Sequence, residues 1–264
     1  MIRPKKSLGQ NFLMHARIAE RIALTAPLAP GAVVLEIGPG TGMLTRELLK
    51  LAKKVIAIEA DEKLFEKLKA DFTGEIAAGR LELVHGDIRA FTISSLPSGY
   101  ALVANIPYYL TGEIFKLFLA SDNQPSSMTL LVQKEVADRV VARDGKPLDS
   151  ARGKESILSL SVKAYGDPKR EFLVPRGAFK PAPNVDSAVL SIRRISRKHF
   201  KTREEEKRFF ALIKAGFAHK RKFARNNLSE KGLPSGGIPE KARAEDVPLS
   251  TWLALSRQDD ALCR

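Results

Sequence analysis

An apolar run that ends in three closely spaced glycines limits the possible folds more than any other stretch of this chain. Val33-Val-Leu-Glu-Ile passes directly into Gly38-Pro-Gly-Thr-Gly and then into the helical pattern Met43–Leu51, as a buried parallel strand does when it turns into its crossover helix. Gly38, Gly40 and Gly42 allow a sharp turn and let a ligand come close to the backbone. Their spacing is G-x-G-x-G, whereas the dinucleotide fingerprint would require glycine where Met43 stands, so a pyrophosphate cradle is disfavoured. Taken alone, such a loop fits a structural turn as well as a cofactor site.

The same strand-then-helix pattern recurs along the chain. β-rich runs at Val33–Ile37, Val55–Glu59, Leu81–Val84, Leu102–Asn105 and Thr129–Gln133 alternate with helical patterns, which is the signature of an α/β sheet. Two further strands are expected at Ile157–Ala164 and Ser187–Arg193. Only a Pro-rich loop, Tyr165 to Asp186, lies between them, so they are expected to pair antiparallel at an edge of a seven-stranded sheet. Beyond Ser196 no strand signal returns. Glu204–His219 reads as a helix, Pro234-Ser-Gly-Gly as a loop, and the stretch from Pro248 as a helix with Ser250 as N-cap. The expected organisation is a sheet domain over 1–193 and a small helical domain over 194–264.

Charge separates the two regions. The 264 residues are 44% apolar, enough for a core, and carry a net charge of +14, with a pI near 9.9. Arg193–Lys231 holds fourteen Lys/Arg against four Glu, ten of those fourteen net charges. A run of this kind is often only a solvated helix face. Here Phe209, Phe210, Phe217 and Phe223 are interleaved with Lys220, Arg221, Lys222 and Arg225, and Phe209, Ile213 and Phe217 recur every four residues. That pattern buries one face and turns the cations outward, as a nucleic-acid partner requires. Cys263 is the single cysteine, which excludes an intrachain disulfide or a Cys-rich zinc site. His15, His85, His199 and His219 show no ligand spacing, so no metal is expected, and Glu204-Glu-Glu reads as the acidic first turn of a helix. No apolar h-region or spanning segment is present, and the expectation is a cytoplasmic, monomeric protein with no membrane partner.

The strand ends carry the chemistry. Glu36 precedes the glycine turn, and Glu59 closes the second strand where it can accept from both ribose hydroxyls of a nucleoside. In His85-Gly-Asp-Ile-Arg, Asp87 can accept from an adenine amino group and the Ile88 amide can donate to a ring nitrogen. Glycine turn, Glu59 and Asp87 in this order suit an adenosine without phosphates. S-adenosylmethionine is the candidate and NAD the weaker alternative. The fourth strand ends in Asn105-Ile-Pro-Tyr-Tyr. An aromatic exocyclic amine is a poor nucleophile, because its lone pair is delocalised into the ring. An amide oxygen from Asn105 and the carbonyl of Ile106, both accepting from that NH2, would favour electron density on the nitrogen. Pro107 fixes the backbone direction, and Tyr108 offers a stacking face to an unpaired base. A plain turn with Tyr108 and Tyr109 half-buried is the alternative.

Together these motifs resemble the rRNA adenine N6-dimethyltransferases of the KsgA type. The resemblance spans nearly the whole chain: Lys6-Ser-Leu-Gly-Gln-Asn-Phe-Leu, Glu36-Ile-Gly-Pro-Gly-Thr-Gly, Glu59, His85-Gly-Asp-Ile, Asn105-Ile-Pro-Tyr and Phe179-Lys-Pro-Ala-Pro-Asn-Val-Asp-Ser. It implies a Rossmann-like class I methyltransferase sheet with an all-helical C-terminal domain. It also implies N6,N6-dimethylation of two adjacent adenosines in the 3′-terminal hairpin loop of 16S rRNA, within the small ribosomal subunit or its precursor. By the same resemblance Asn11 and Leu13 border the methionine, with Gly38 and Gly40 beside its amino-acid part, Glu59 on the ribose, and Asp87 with Ile88 on the adenine. Asn105, which also borders the cofactor, and the Ile106 carbonyl hold the target amine, while Tyr108 and Phe179 clamp the flipped base from its two faces. From its own sequence context Phe179 is a loop-anchoring core residue. In the basic segment His219, Lys220, Phe223 and Ala224 depart from the family pattern. The rivals are a large-subunit rRNA methyltransferase sharing these motifs, an assembly factor that binds without catalysis, and a DNA adenine methyltransferase. The N-terminal signature favours the small-subunit branch.

Overall fold

β-Branched and aliphatic runs that bury both faces build the central sheet. The computed structural model describes residues 9–142 and 154–258. Nine strands occur among them: β1 Phe12–Leu13, β2 Val33–Ile37, β3 Lys54–Glu59, β4 Leu81–His85, β5 Ala101–Asn105, β6 Ser127–Gln133, β7 Asp167–Val174, β8 Phe179–Lys180 and β9 Ser187–Arg193. Seven form one sheet in the order β4-β3-β2-β5-β6-β9-β7, and β1 pairs with β8 in a separate two-stranded ribbon. β2, β3, β4, β5 and β6 are parallel neighbours, and β9 joins β6 antiparallel. Strand order reverses between β2 and β5, so their carboxyl ends diverge to leave the crevice in which such sheets bind ligands.

Register brings the chemistry-bearing ends level. Ile37 stands opposite both Ile58 and Ala104, and Glu59 opposite His85, so the segments after Ile37, Glu59, His85 and Asn105 open along one edge. One face of the sheet is covered by helices Ala16–Thr25 and Met43–Leu51. Their Ile22, Ala23, Leu44 and Leu48 join Val34, Val55, Leu68, Phe72 and Val103 in a single apolar core. Full burial of a side chain such as Leu48 stabilises by about 1.5–3 kcal/mol.

The first five expected strands form within two residues of their anticipated ends. The sixth does not. Alternation predicts a strand over Ile157–Ala164, but Ile157–Lys163 is a helix. Its Ser-Leu-Ser-Val pattern imitates period two, yet Ser156 accepts from the Ser159 amide while Ser159 returns a bond to the Ser156 backbone, and this reciprocal cap decides the conformation. The Ser159 hydroxyl and the Lys163 ammonium also satisfy the buried Glu155 carboxylate. The seventh strand of the sheet is instead β7, within the segment expected to be loop. β7 lies at the edge, outside β9, and its Pro168 sits where a missing donor costs least.

By compactness the described residues divide into a sheet unit, 9–137 with 168–195, and a second unit of 138–142, 154–167 and 196–258. Residues up to 167 thus enter the second unit, where Tyr165 stacks on Phe210 and its hydroxyl reaches Glu206. Phe209, Leu212 and Ile213 on helix Arg203–Gly216 and Trp252 on helix Leu249–Ser256 are buried. Pro248, not Ser250, occupies the N-cap of that last helix, and Ser250 lies inside its first turn. The Glu204–Glu206 triplet does form an acidic first turn. Glu205 pairs with Arg257, and Glu206 with Arg197 and Arg203, which ties helix ends together rather than building a catalytic site. Among the described residues no helix is long and apolar enough to cross a membrane, and no three His, Cys, Asp or Glu side chains gather as a metal site. Cys263 lies outside the described residues.

Candidate active site

One cavity in the sheet unit draws together the N-terminal segment and the ends of β2, β3, β4 and β5. Its walls include Asn11, Leu13, Glu36, Gly38, Gly40, Glu59, Asp87, Ile88, Asn105, Ile106, Pro107 and Tyr108. Every residue expected to hold cofactor or target amine therefore meets at one place. Phe179 does not share it. Phe179 is buried opposite Leu13 across the β1–β8 ribbon and packs in the core with Val174, Ala178 and Val189, the position its sequence context suggests.

The glycine turn divides its labour. Gly42, at φ +80°, starts helix Met43–Leu51, and a Cβ there would lie 2.6 Å from the Phe72 ring, so this glycine serves packing. Gly38 meets only the Asn105 carbonyl, 4.0 Å away, and leaves open space on the cavity side. Glu59 locks the turn to β3. Its Oε2 accepts from the Gly40 amide at 3.0 Å and its Oε1 from the Asp61 amide at 2.9 Å. Each carboxylate oxygen keeps a further lone pair for a ligand hydroxyl. Burial raises the pKa of Glu59, and these backbone donors oppose the rise.

Glu36 is a buried carboxylate to which the sequence motifs assign no role. It is 1% exposed, lines the cavity, and its Oε2 has no hydrogen-bond partner within the protein. Burial pushes its pKa up to about 8, reinforced by the Glu59 carboxylate. A carboxylate inside an otherwise apolar parallel strand is the signal that could have found it, since a buried polar atom without a partner implies one that arrives from outside. Beyond the end of β4, Asp87 Oδ1 accepts from the Arg89 backbone amide at 2.9 Å and from Arg89 Nε at 3.0 Å. Its Oδ2 is also engaged by the guanidinium. This pairing holds the Asp87 pKa below the usual carboxylate range, and the spacing Asp-Ile-Arg already contains it. The cavity thus fits a group with a cationic amine at one end and an adenosine at the other. Glu36 could accept from such an amine through its unpartnered oxygen, and Glu59, Asp87 and the Ile88 amide lie where a nucleoside would meet them.

The reactive end is held by its own hydrogen bonds. Asn105 Nδ2 donates to the Asn11 carbonyl at 3.2 Å, and Asn11 Nδ2 in turn donates to the Gly9 carbonyl at 3.3 Å. With its amide nitrogen engaged, Asn105 presents its oxygen as the free acceptor. Pro107, at φ −55°, fixes the backbone direction after Ile106. The Tyr108 hydroxyl bonds Ser187 Oγ at 2.6 Å, and burial raises its pKa. Ser187 ends the Phe179–Ser187 motif. What that motif contributes directly is an anchor for Tyr108.

The basic residues singled out in the sequence belong to the second unit. Lys220 and Arg221 are exposed. Lys222 pairs with Glu230, and Arg225 donates through Nε to the Ile238 carbonyl, with Glu240 3.9 Å away.

The family model described as ribosomal RNA adenine dimethylase matches residues 1–257. A protein of Dehalococcoides mccartyi named ribosomal RNA small subunit methyltransferase A is 37% identical, covering 96% of this chain and 88% of the relative. Its namesake from Listeria welshimeri is 40% identical, over 96% and 89%. Among solved structures, the 23S rRNA methyltransferase ErmE superposes with a TM-score of 0.75 at 28% identity, over 93% of this chain and 98% of its own. A dimethyladenosine transferase from Plasmodium falciparum gives 0.73 at 28% identity, over 92% and 95%.

Proposed function

Because the chain belongs to the ribosomal RNA adenine dimethylase family, we propose that it dimethylates N6 of two adjacent adenosines in the 3′-terminal hairpin loop of 16S rRNA, using S-adenosylmethionine, during small-subunit biogenesis in the cytoplasm. The observation that carries this reading is the fixed orientation of Asn105, its nitrogen tied to the Asn11 carbonyl and its oxygen left to accept. The sheet unit is assigned cofactor and chemistry. The basic second unit is assigned RNA, through phosphate contacts by Lys220, Arg221, Lys222 and Arg225 that supply salt-dependent affinity, while RNA shape supplies specificity.

When bound, S-adenosylmethionine supplies a methyl group on a sulfonium, an electrophile that needs no further activation. Glu36 would hold its ammonium, with Asn11, Leu13, Gly38 and Gly40 around the amino-acid part. Glu59 would take the ribose hydroxyls, and Asp87 with the Ile88 amide the adenine. Toward the substrate, the Asn105 oxygen and the Ile106 carbonyl accept from the adenine N6 hydrogens and localise the lone pair on nitrogen. Tyr108, braced by Ser187, stacks on one face of the base. The methylated aromatic ammonium is a strong acid, so water suffices to take its proton. Catalysis is then positioning and preorganised dipoles. The opposite face of the base is assigned to Phe179, which lies across the β1–β8 ribbon from Leu13 of the cavity wall.

Asn105→Ala tests the assignment. Transfer should fall by about 100- to 1000-fold, the usual effect of deleting one preorganised hydrogen-bonding group, while affinity for rRNA stays near wild type. Parallel loss of binding and transfer would remove Asn105 from the chemistry.

A further inference from the structure

We propose that Tyr109 is a second stacking platform, carrying the base of the nucleotide next to the target adenosine while Tyr108 carries the target itself. The inference rests on the rRNA-methylating function proposed above and assigns the neighbouring residue of the substrate to a place on this chain.

Of the large apolar side chains exposed among the described residues, Tyr109 alone lines the active-site cavity, and it is 62% exposed. An aromatic ring held in water beside a reactive site loses apolar contact that the core could have given it. Tyr109 sits in the single 3-10 turn Tyr108–Leu110, which sends successive side chains in different directions. Tyr108 turns inward to Ser187, and Tyr109 turns out to the rim.

The exposed ring stands on rigid support. Leu110 N bonds the Pro107 carbonyl at 3.0 Å, and Thr111 Oγ1 bonds the Tyr108 carbonyl at 2.9 Å, so the turn is closed on both sides of Tyr109. Gly9, at φ +59°, lies against the ring. A Cβ there would stand 3.1 Å from Tyr109 Cε1 and 3.4 Å from Pro107 Cβ. Among the described residues the ring is therefore braced by the Gly9 backbone while it stays largely exposed, so little further ordering is needed for a base to stack. Adjacent residues keep their Cα atoms about 3.8 Å apart, which places the two tyrosines where consecutive nucleotides can reach them once the target base has left the stack. A phenol ring accepts any base face.

The test uses the full-length chain, labelled S-adenosylmethionine and unmethylated small ribosomal subunits, with Tyr109→Ala and Tyr109→Phe beside wild type. Tyr109→Ala should raise KM for the subunit by about 5- to 150-fold, the range for one lost base-stacking contact, with a much smaller change in kcat and no change in the cofactor Kd from calorimetry. Tyr109→Phe should restore wild-type KM. The platform is overturned by an unchanged KM in the alanine variant, by equal weakening of cofactor binding, or by a phenylalanine variant as poor as alanine. If wild type itself transfers no methyl to the subunit, the proposed function fails and the platform falls with it, an outcome distinct from wild-type activity indifferent to Tyr109.

Discussion

Glu36→Gln should cancel a pH dependence that the fold imposes on its own stability. Folding places Glu36 at 1% exposure with one carboxyl oxygen unpartnered, and burial pushes its pKa from 4.5 to about 8. The folded state without ligand therefore favours the neutral acid. For a group whose pKa is raised on folding, the favourable contribution is complete below the unfolded value and disappears as pH rises through the folded one. Between pH 5 and pH 7 the unfolded chain releases a proton that the folded chain keeps, and the two pKa values translate into a loss of about 2–3 kcal/mol. Glutamine keeps the shape and one donor-acceptor pair but has no proton to lose. Urea unfolding followed by far-UV circular dichroism, at pH 5, 6 and 7 on both proteins without ligand, should show the stability difference shifting toward the variant by that amount. A difference that stays constant over these two pH units would refute the assignment of Glu36 as a buried neutral acid. In the same reasoning Glu36→Gln weakens S-adenosylmethionine binding, because the ammonium loses the charge it would draw out of Glu36.

Three further outcomes are expected from the geometry. Arg89→Gln frees the Asp87 carboxylate from its guanidinium, and S-adenosylmethionine should bind modestly more tightly by calorimetry, the gain kept small because exposed ion pairs are weak. Gly42→Ala forces a side chain at φ +80° against the Phe72 ring and should destabilise the protein by about 1–3 kcal/mol in urea unfolding. Lys220→Ala and Arg221→Ala should each lower rRNA affinity evenly across sequences and flatten the dependence of log K on log salt by about one unit or slightly less, measured by filter binding.

The first half of the sheet is legible in the sequence because its strands are mostly buried aliphatic runs, and β3 and β5 end in polar Glu59 and Asn105. Val33–Ile37 and Ala101–Asn105 need only their burial to be recognised, and Glu59, Asp87 and Asn105 announce themselves as polar groups at strand ends. Ile157–Lys163 is not legible by periodicity, since five alternating residues fit a strand as well as a helix, and only the Ser156–Ser159 cap separates the two. β7 escapes because Pro168, Lys169, Arg170 and Glu171 give an edge strand no apolar face to display. In the site, hydrogen bonds between distant segments are out of reach of any local pattern. Asn11 to Asn105 and Tyr108 to Ser187 join residues 94 and 79 positions apart. The Asp87–Arg89 pair is local, yet it competes with the role that makes Asp87 noticeable.

Whether this chain dimethylates small-subunit rRNA is decided by methyl transfer from labelled S-adenosylmethionine to unmethylated small subunits, large subunits and duplex DNA, with nucleoside analysis of the product. The expected product is N6,N6-dimethyladenosine in the small subunit alone, at two positions per 16S rRNA. Label in large-subunit rRNA, or tight binding to the small subunit with no label in any substrate, would contradict the proposed function.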